Sequence, residues 1–196
     1  MDTKKLRLGV INDAQYLAQI HKRAISVDIL SVINNDNVLY LFYRKILSSD
    51  DIVVVVKETD QGNVISFAVF LKKPSQFNII LKKFYFRQFF PILLSCIKSK
   101  KALKMVIGRF KKPIILTPFN VSDYPEIIIS ATDPQYQSMG FGSQVVQYGL
   151  ESLSLKNCIV KTHSPDAKRF YHRLGFIDIG YEKTGNWNLS VLLYSK

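Results

Sequence analysis

Apolar residues along this chain recur with two distinct periods. Residues 6–11 (LRLGVI) read as a short strand, and Asn12 with Gln15 three residues on resembles a capping box before a helix striped by Leu17, Ile20 and Ala24. Leu39, Phe42, Tyr43 and Ile46 return at helical spacing and predict a second helix over 36–48. The β-branched run 51–57 and the apolar run 64–71 flank a polar turn at 58–63, which is the pattern of a hairpin. Residues 76–106 read as mostly helical with a break near Pro91. Further along, 126–132 predicts a core strand, 143–155 a helix and 158–162 a strand. Ser164 and Pro165 stand at the N-cap and first turn of a short helix that Gly175 ends, and two strands, 176–182 and 187–194, close the chain. The order is βααββ, a helical insert, then βαβαββ. It predicts one α/β domain with a mixed sheet over 1–196.

Composition narrows the class. With 196 residues, 47% hydrophobic and 21% charged, the chain can build a core and is not of disordered composition. The apolar run 89–97 is broken by Pro91 and Ser95 and is too short to cross a bilayer, and the N-terminal residues lack the pattern of a secretory signal. Cys96 and Cys158 form no CxxC pair, and three scattered histidines make no metal cluster, so no metal is expected. A cytoplasmic location fits, with room for a peripheral position at a membrane.

Net charge is +12, and its distribution is uneven. Between Gln61 and Ser122 there is no Asp or Glu, while twelve Lys and Arg residues, from Lys72 to Lys112, fall in that interval. They are interleaved with aromatics such as Phe77, Phe84 and Phe89. Three readings of 72–112 stand side by side: a solvated helix face, a surface for anionic membrane headgroups, or a wall of an acceptor pocket for a phosphorylated, nucleotide-linked or lipid-linked amino sugar. No motif supports specific nucleic-acid binding.

The segment QYQSMGFGSQVVQYGL, 135–150, joins the predicted strand 126–132 to the following helix and contains no acidic residue. Strand, glycine loop and helix start make a recipe for an anion site, because the first N–H groups of a helix lack internal partners and glycine admits a phosphate close to the backbone. The string is neither GxxxxGK[ST] nor GxGxxG nor GxSxG. A tight turn that binds nothing is the bland alternative.

Two ordered motifs carry a resemblance. Thr132-Asp133-Pro134-Gln135-Tyr136 followed by Gln137-Ser138-Met139-Gly140-Phe141-Gly142 resembles the acyl-CoA loop of the GNAT superfamily of N-acetyltransferases, Q/R-x-x-G-x-G/A. Residues 164–182 resemble that family's N-x-x-A-x-x-x-Y-x-x-x-G-F segment, with Tyr171, Gly175 and Phe176 in register. The resemblance implies a GNAT-like fold with a mixed, mostly antiparallel sheet flanked by helices; the basic helical insert at about 72–112 has no counterpart in it. It implies acetyl-CoA or another acyl-CoA as cosubstrate and a small-molecule amine as acceptor. Backbone amides of Gln137, Ser138, Met139, Gly140, Phe141 and Gly142 would hold the pyrophosphate, and main-chain groups of Ser130, Ala131 and Thr132 the pantetheine. Ser164 stands where the family often has a cofactor-holding Asn, so it is either a cofactor contact or only an N-cap.

The same resemblance places Tyr171 near the sulfur, where a protonated phenol can donate to a departing thiolate. The alternative is a core tyrosine. Glu126 precedes Gln137 by eleven residues, the offset of the catalytic glutamate in the histone-acetylating branch, and strand alternation puts Glu126, Ile128 and Ser130 on one face. His163, just past strand 158–162, is a second candidate base. His21 and His172 are expected at the surface. A catalytically silent binding module with the same fold, acting at an anionic membrane through the basic insert, is the reading from another class.

Overall fold

The computed structural model describes residues 5–25, 35–88, 114–118, 120–121, 123–184 and 187–196. The elements are β1 (Leu6–Leu8), α1 (Ala14–Ala24), α2 (Asp36–Leu47), β2 (Ile52–Glu58), β3 (Val64–Leu71), α3 (Pro74–Arg87), β4 (Ile114–Leu116), β5 (Glu126–Thr132), α4 (Phe141–Ser152), β6 (Asn157–Thr162), α5 (Pro165–Arg173), β7 (Ile177–Thr184) and β8 (Trp187–Ser195). One eight-stranded sheet runs in the order β1-β2-β3-β5-β6-β8-β7-β4. Its pairings are antiparallel except for β5 with β6, which is parallel. The chain therefore has the expected α/β architecture.

Strand alternation sorts the core into two layers. Val54, Val56, Phe67, Val69 and Leu71 face α1 and α2, with Phe84 of α3 in the same cluster. Val55, Ala68 and Phe70 face α4 and α5, meeting Val145, Val146, Leu150 and Tyr171. A strand buried on both faces needs no polar alternation, which is why β3 reads VISFAVFL and is buried throughout.

Several local expectations change. Asn12 does not cap α1: residues Ile11–Asp13 form a 3-10 turn and α1 begins at Ala14. Asp13 is committed elsewhere, accepting from the Val10 N–H at 2.8 Å and from Arg7 at 2.7 and 2.9 Å. The α2 helix is capped by Asn35, whose side chain accepts from the Val38 N–H at 3.1 Å. His21 is buried, not exposed, and its Nδ1 lies 2.6 Å from the Tyr43 hydroxyl. The α4 helix begins at Phe141, two residues before the expected start. β4 was not expected; it pairs with β7 at the sheet edge. Of the basic stretch, α3 confirms a helical beginning, while 89–113, including the break near Pro91, lies outside the described residues.

A single irregularity in β5 reorders the sheet's centre. Val69 pairs with Ile129 and Phe70 with Ile127, so Ile128 is an extra residue. Before this bulge Ile127 joins the α4–α5 side; after it Ile129 and Ala131 pack with the α1–α2 side, and Ser130 is hydrogen-bonded to Tyr171 of α5. The expectation that Glu126, Ile128 and Ser130 share a face fails here. The extra residue reverses the alternation, so Ser130 faces Tyr171 and Glu126 faces the other way.

Candidate active site

The parallel β5–β6 ladder is short. Glu126 pairs with Ile159 and Ile127 with Val160, and no further pair follows. β5 continues to Thr132 on β3, while β6 continues to Thr162 on β8. Two strands that start together and then follow different partners must part, and a wedge opens beyond Ile127 and Val160. Along it, the β5 main chain at Ser130, Ala131 and Thr132 has β3 on one side and no ladder on the other.

At the wide end of the wedge lies the glycine loop. Asp133 shapes the turn out of β5: its carboxylate accepts from the Gln135 N–H at 3.2 Å and pairs with Arg23 of α1 at 2.6 Å. Gln137 donates its side-chain amide to the Thr132 carbonyl at 3.2 Å. Ser138 takes φ 63° and Gly140 φ 79°, and a Cβ added to Gly140 would meet nothing within 4 Å. Gly140 is the N-cap of α4, and the helical ladder starts with the Gln144 N–H donating to the Gly140 carbonyl at 3.1 Å. The preceding amides, of Phe141, Gly142 and Ser143, lie outside that ladder at the positive end of the helix dipole. Gly142 sits close to the scaffold: a Cβ there would stand 3.3 Å from Thr132 Oγ1 and 3.5 Å from the Phe170 ring. Met139 is exposed, while the Phe141 ring turns into the core, so Phe141 offers the site its backbone alone. The loop is thus a cradle of main-chain donors, open above Gly140 and braced below Gly142.

Ser164 caps α5, accepting from the Ala167 N–H at 3.3 Å, and its own N–H donates to Thr162 Oγ1 at 3.1 Å. The role its hydroxyl plays in this structure is that of the cap. Tyr171 is 5% exposed, packed between Phe170 and Phe176, and hydrogen-bonded to Ser130. Burial pushes its phenol well above the ordinary value, against the smaller opposing effect of the Ser130 hydrogen bond. The phenol stays protonated across physiological pH and is a donor. Core packing and a place beside the wedge hold together for this residue.

Glu126 lies at the closed end of the wedge. Its carboxylate is 3.2 Å from Lys161 Nζ, and the same ammonium is 3.1 Å from Glu182 of β7. Burial raises the Glu126 pKa, Lys161 pulls it back by charge and by hydrogen bond, and Glu182 adds a push upward. Burial works to lower the Lys161 pKa, but the two carboxylates outweigh it and hold the amine cationic. His163 is exposed at the β6–α5 junction. Glu126 and Tyr171 are brought to the same wedge from opposite faces of the sheet; His163 stays at its rim.

Two lysines were missed from the sequence. Lys57 of β2 is 4% exposed; its ammonium donates to the Gln144 side chain and lies 5.1 Å from the Phe141 ring centroid, beneath the first turn of α4. A lone lysine closing the run IVVVVK was the available signal. Lys161 also ends an apolar strand run, but its partners become visible only once the strands are paired. Among the described residues, no group of three or more His, Cys, Asp or Glu could hold a metal ion, and no helix is long and apolar enough to cross a membrane.

The Acetyltransferase (GNAT) family model matches residues 107–176, which include the wedge strand β5, the cradle and all of α5. Over nearly the whole chain the fold is similar to that of an N-acetyltransferase from Staphylococcus aureus Mu50, with TM-score 0.67, 13% identity and coverage of 97% of this chain and 100% of that one. Residues 107–176 therefore resemble the GNAT acetyltransferases in sequence, and the chain as a whole resembles them in fold. The family match and the fold together support a GNAT-type N-acetyltransferase, for which acetyl-CoA is the typical cosubstrate. The histone acetyltransferase HPA2 and related acetyltransferase of Corynebacterium glutamicum has TM-score 0.65 at 12% identity, covering 100% of this chain and 97% of its own. The polyamine N-acetyltransferase of Drosophila melanogaster, which forms N-acetylagmatine, has TM-score 0.57 at 12% identity, with coverage of 98% and 99%. Likenesses at these identities speak for the fold. No curated protein sequence matches the chain.

Proposed function

We propose that residues 1–196 form one cytoplasmic acyltransferase domain that passes an acetyl group from acetyl-CoA directly to a primary amine, with no covalent enzyme intermediate. The observation that carries this reading is the parting of β5 from β6 beyond Ile127 and Val160, directly below the donor cradle at Gly140. An extended pantetheine chain can take the place of the missing strand beside Ser130, Ala131 and Thr132. The amides of Gln137, Ser138, Met139, Gly140, Phe141 and Gly142 then receive the pyrophosphate, with Lys57 adding positive charge beneath. Ser164 shapes the rim through its cap.

In this arrangement the thioester comes to rest between the two faces. Glu126 takes the proton that the attacking ammonium must lose, and Tyr171 donates to the thiolate that leaves. His163, exposed at the rim, is the alternative base. The cluster of Glu126, Lys161 and Glu182 carries a net charge of −1 when all three are ionised, which favours an acceptor that arrives as a cation. The basic run 72–112 favours an acceptor that also bears an anionic group, as an amino sugar in phosphorylated, nucleotide-linked or lipid-linked form does.

Calorimetry with acetyl-CoA and an amine-library acetylation screen test the proposal together. Micromolar binding of acetyl-CoA and acetylation of an amine are the expected results. Failure to bind acetyl-CoA, with salt-sensitive association to anionic vesicles instead, would show a binding module acting through the basic run.

A further inference from the structure

We propose that Lys161 is a positioning residue that sets the ionisation and aim of the Glu126 carboxylate, and that Glu182 limits its hold by sharing it. The inference rests on the reading of Glu126 as the base. Lys161 is the first residue of β6 after its last pair with β5, so it stands at the fork of the wedge. From there its ammonium reaches Glu126 on β5 at 3.2 Å and Glu182 on β7 at 3.1 Å. The two carboxylates approach from opposite sides of β6, since β8 separates β6 from β7 in the sheet. Side-chain exposure is 20% for Lys161 and 12% for each glutamate, so water screens the charges poorly.

A base in this position has two requirements. It must be ionised when the ammonium arrives, yet basic enough to take a proton. Burial alone favours the protonated form of Glu126, and pairing with a lysine favours the ionised form and weakens it as a base. One lysine shared by two carboxylates gives an intermediate setting. Among the described residues, the charged groups that act on Glu126 are Lys161 from β6 and Glu182 from β7, and the Cys158 thiol of β6, packed on the α4–α5 side, feels the Glu126 charge. Burial, with the Glu126 charge adding to it, pushes the Cys158 thiol up to about 12, so it is neutral at physiological pH and the balance is left to the other two.

The arrangement makes two predictions of opposite sign. Removing Lys161 raises the Glu126 midpoint, whereas removing the Glu182 charge lowers it by giving Lys161 to Glu126 alone. The chain has four glutamates, Glu58, Glu126, Glu151 and Glu182. Carboxyl ¹³C-labelling of glutamate in the full chain therefore gives a spectrum in which E126Q identifies the Glu126 signal. The midpoint is expected to move up in K161M and down in E182Q, and to stay near the native value in K161R. A midpoint that does not fall in E182Q, or does not rise in K161M, overturns the proposal. K161M takes the Lys161 cation away from two mostly buried carboxylates and can fail to fold; E182Q and K161R then decide alone. The measurement needs no acceptor. Unchanged turnover of E126Q with the best amine from the screen would remove Glu126 as the base while leaving the titration result intact.

Discussion

Ser130 and Tyr171 are hydrogen-bonded across the wedge, strand to helix, on the side of the sheet that Glu126 does not face. The bulge at Ile128 makes this possible. Without an extra residue, Ser130 and Glu126 would point the same way. One residue of strand irregularity thus puts the proposed acid and the proposed base on different faces of the sheet.

Tyr171→Phe tests the acid. The substitution keeps the ring contacts with Phe170 and Phe176 and removes only the hydroxyl, so the fold should survive. Turnover with the amine found in the screen is expected to fall by about 10²-fold, with the KM for acetyl-CoA nearly unchanged. Steady-state kinetics separate the two quantities, and wild-type turnover would return Tyr171 to the core alone.

Gly140 permits a test of the cradle that distinguishes strain from charge. Its φ of 79° suits glycine, and a side chain there meets open space. Gly140→Ala should cost about 1–2 kcal/mol of stability through the backbone. Gly140→Glu adds a carboxylate where the pyrophosphate would lie, and affinity for acetyl-CoA should fall more than about tenfold beyond the alanine variant, or about 1.4 kcal/mol. Calorimetry on both variants checks it; equal affinities would place the cofactor elsewhere.

Much of the frame around this site was legible in the chain itself. β5 was read with its observed bounds because Pro125 and Asp133-Pro134 fence an apolar β-branched run. Ser164, Pro165 and Gly175 marked α5 through local cap chemistry, and Gly175 takes φ 88° as a C-terminal glycine should. The bulge left no trace, since EIII is apolar whichever way each isoleucine turns. β4 escaped for a different reason. Three apolar residues, Ile114–Leu116, fenced by Pro113 and Pro118, have no periodicity to read, and only the partner strand β7 makes them a strand. The Lys161 cluster was hidden because its members come from three strands, and nothing local in NCIVKT names Glu126 or Glu182.

Gly149 shows how tightly α4 is laid on the sheet. A Cβ there would come within 2.2 Å of the Phe70 ring, which is itself fully buried on β3. Neither the helix nor the ring has room to yield. Gly149→Ala should therefore destabilise the protein by about 1–3 kcal/mol, although alanine is the better helix former. Urea unfolding measures it, and a stabilised variant would show that the packing at this point is looser than described.

Two buried groups predict how stability responds to alkali. The Cys158 thiol has an ordinary value of 9.0 and is pushed up to about 12 by burial, then by the Glu126 charge. The Tyr171 phenol, ordinarily at 10.0, is also raised, mainly by burial. Below pH 9 both groups are protonated in folded and unfolded chains, and neither favours one state. As pH rises from 9 toward 12, the unfolded chain releases the Cys158 proton and the folded chain keeps it. Unfolding is then favoured by about 1.4 kcal/mol per pH unit, and Tyr171 adds a similar slope above pH 10. Urea midpoints should thus decline from pH 9 upward and more steeply above 10. Cys158→Ala removes the first contribution, so relative to its own value at pH 8 it should hold its stability through pH 9–10. A native protein whose midpoint stays level from pH 8 to 11 would mean that both groups titrate as they do in water, and that neither is sealed behind the wedge.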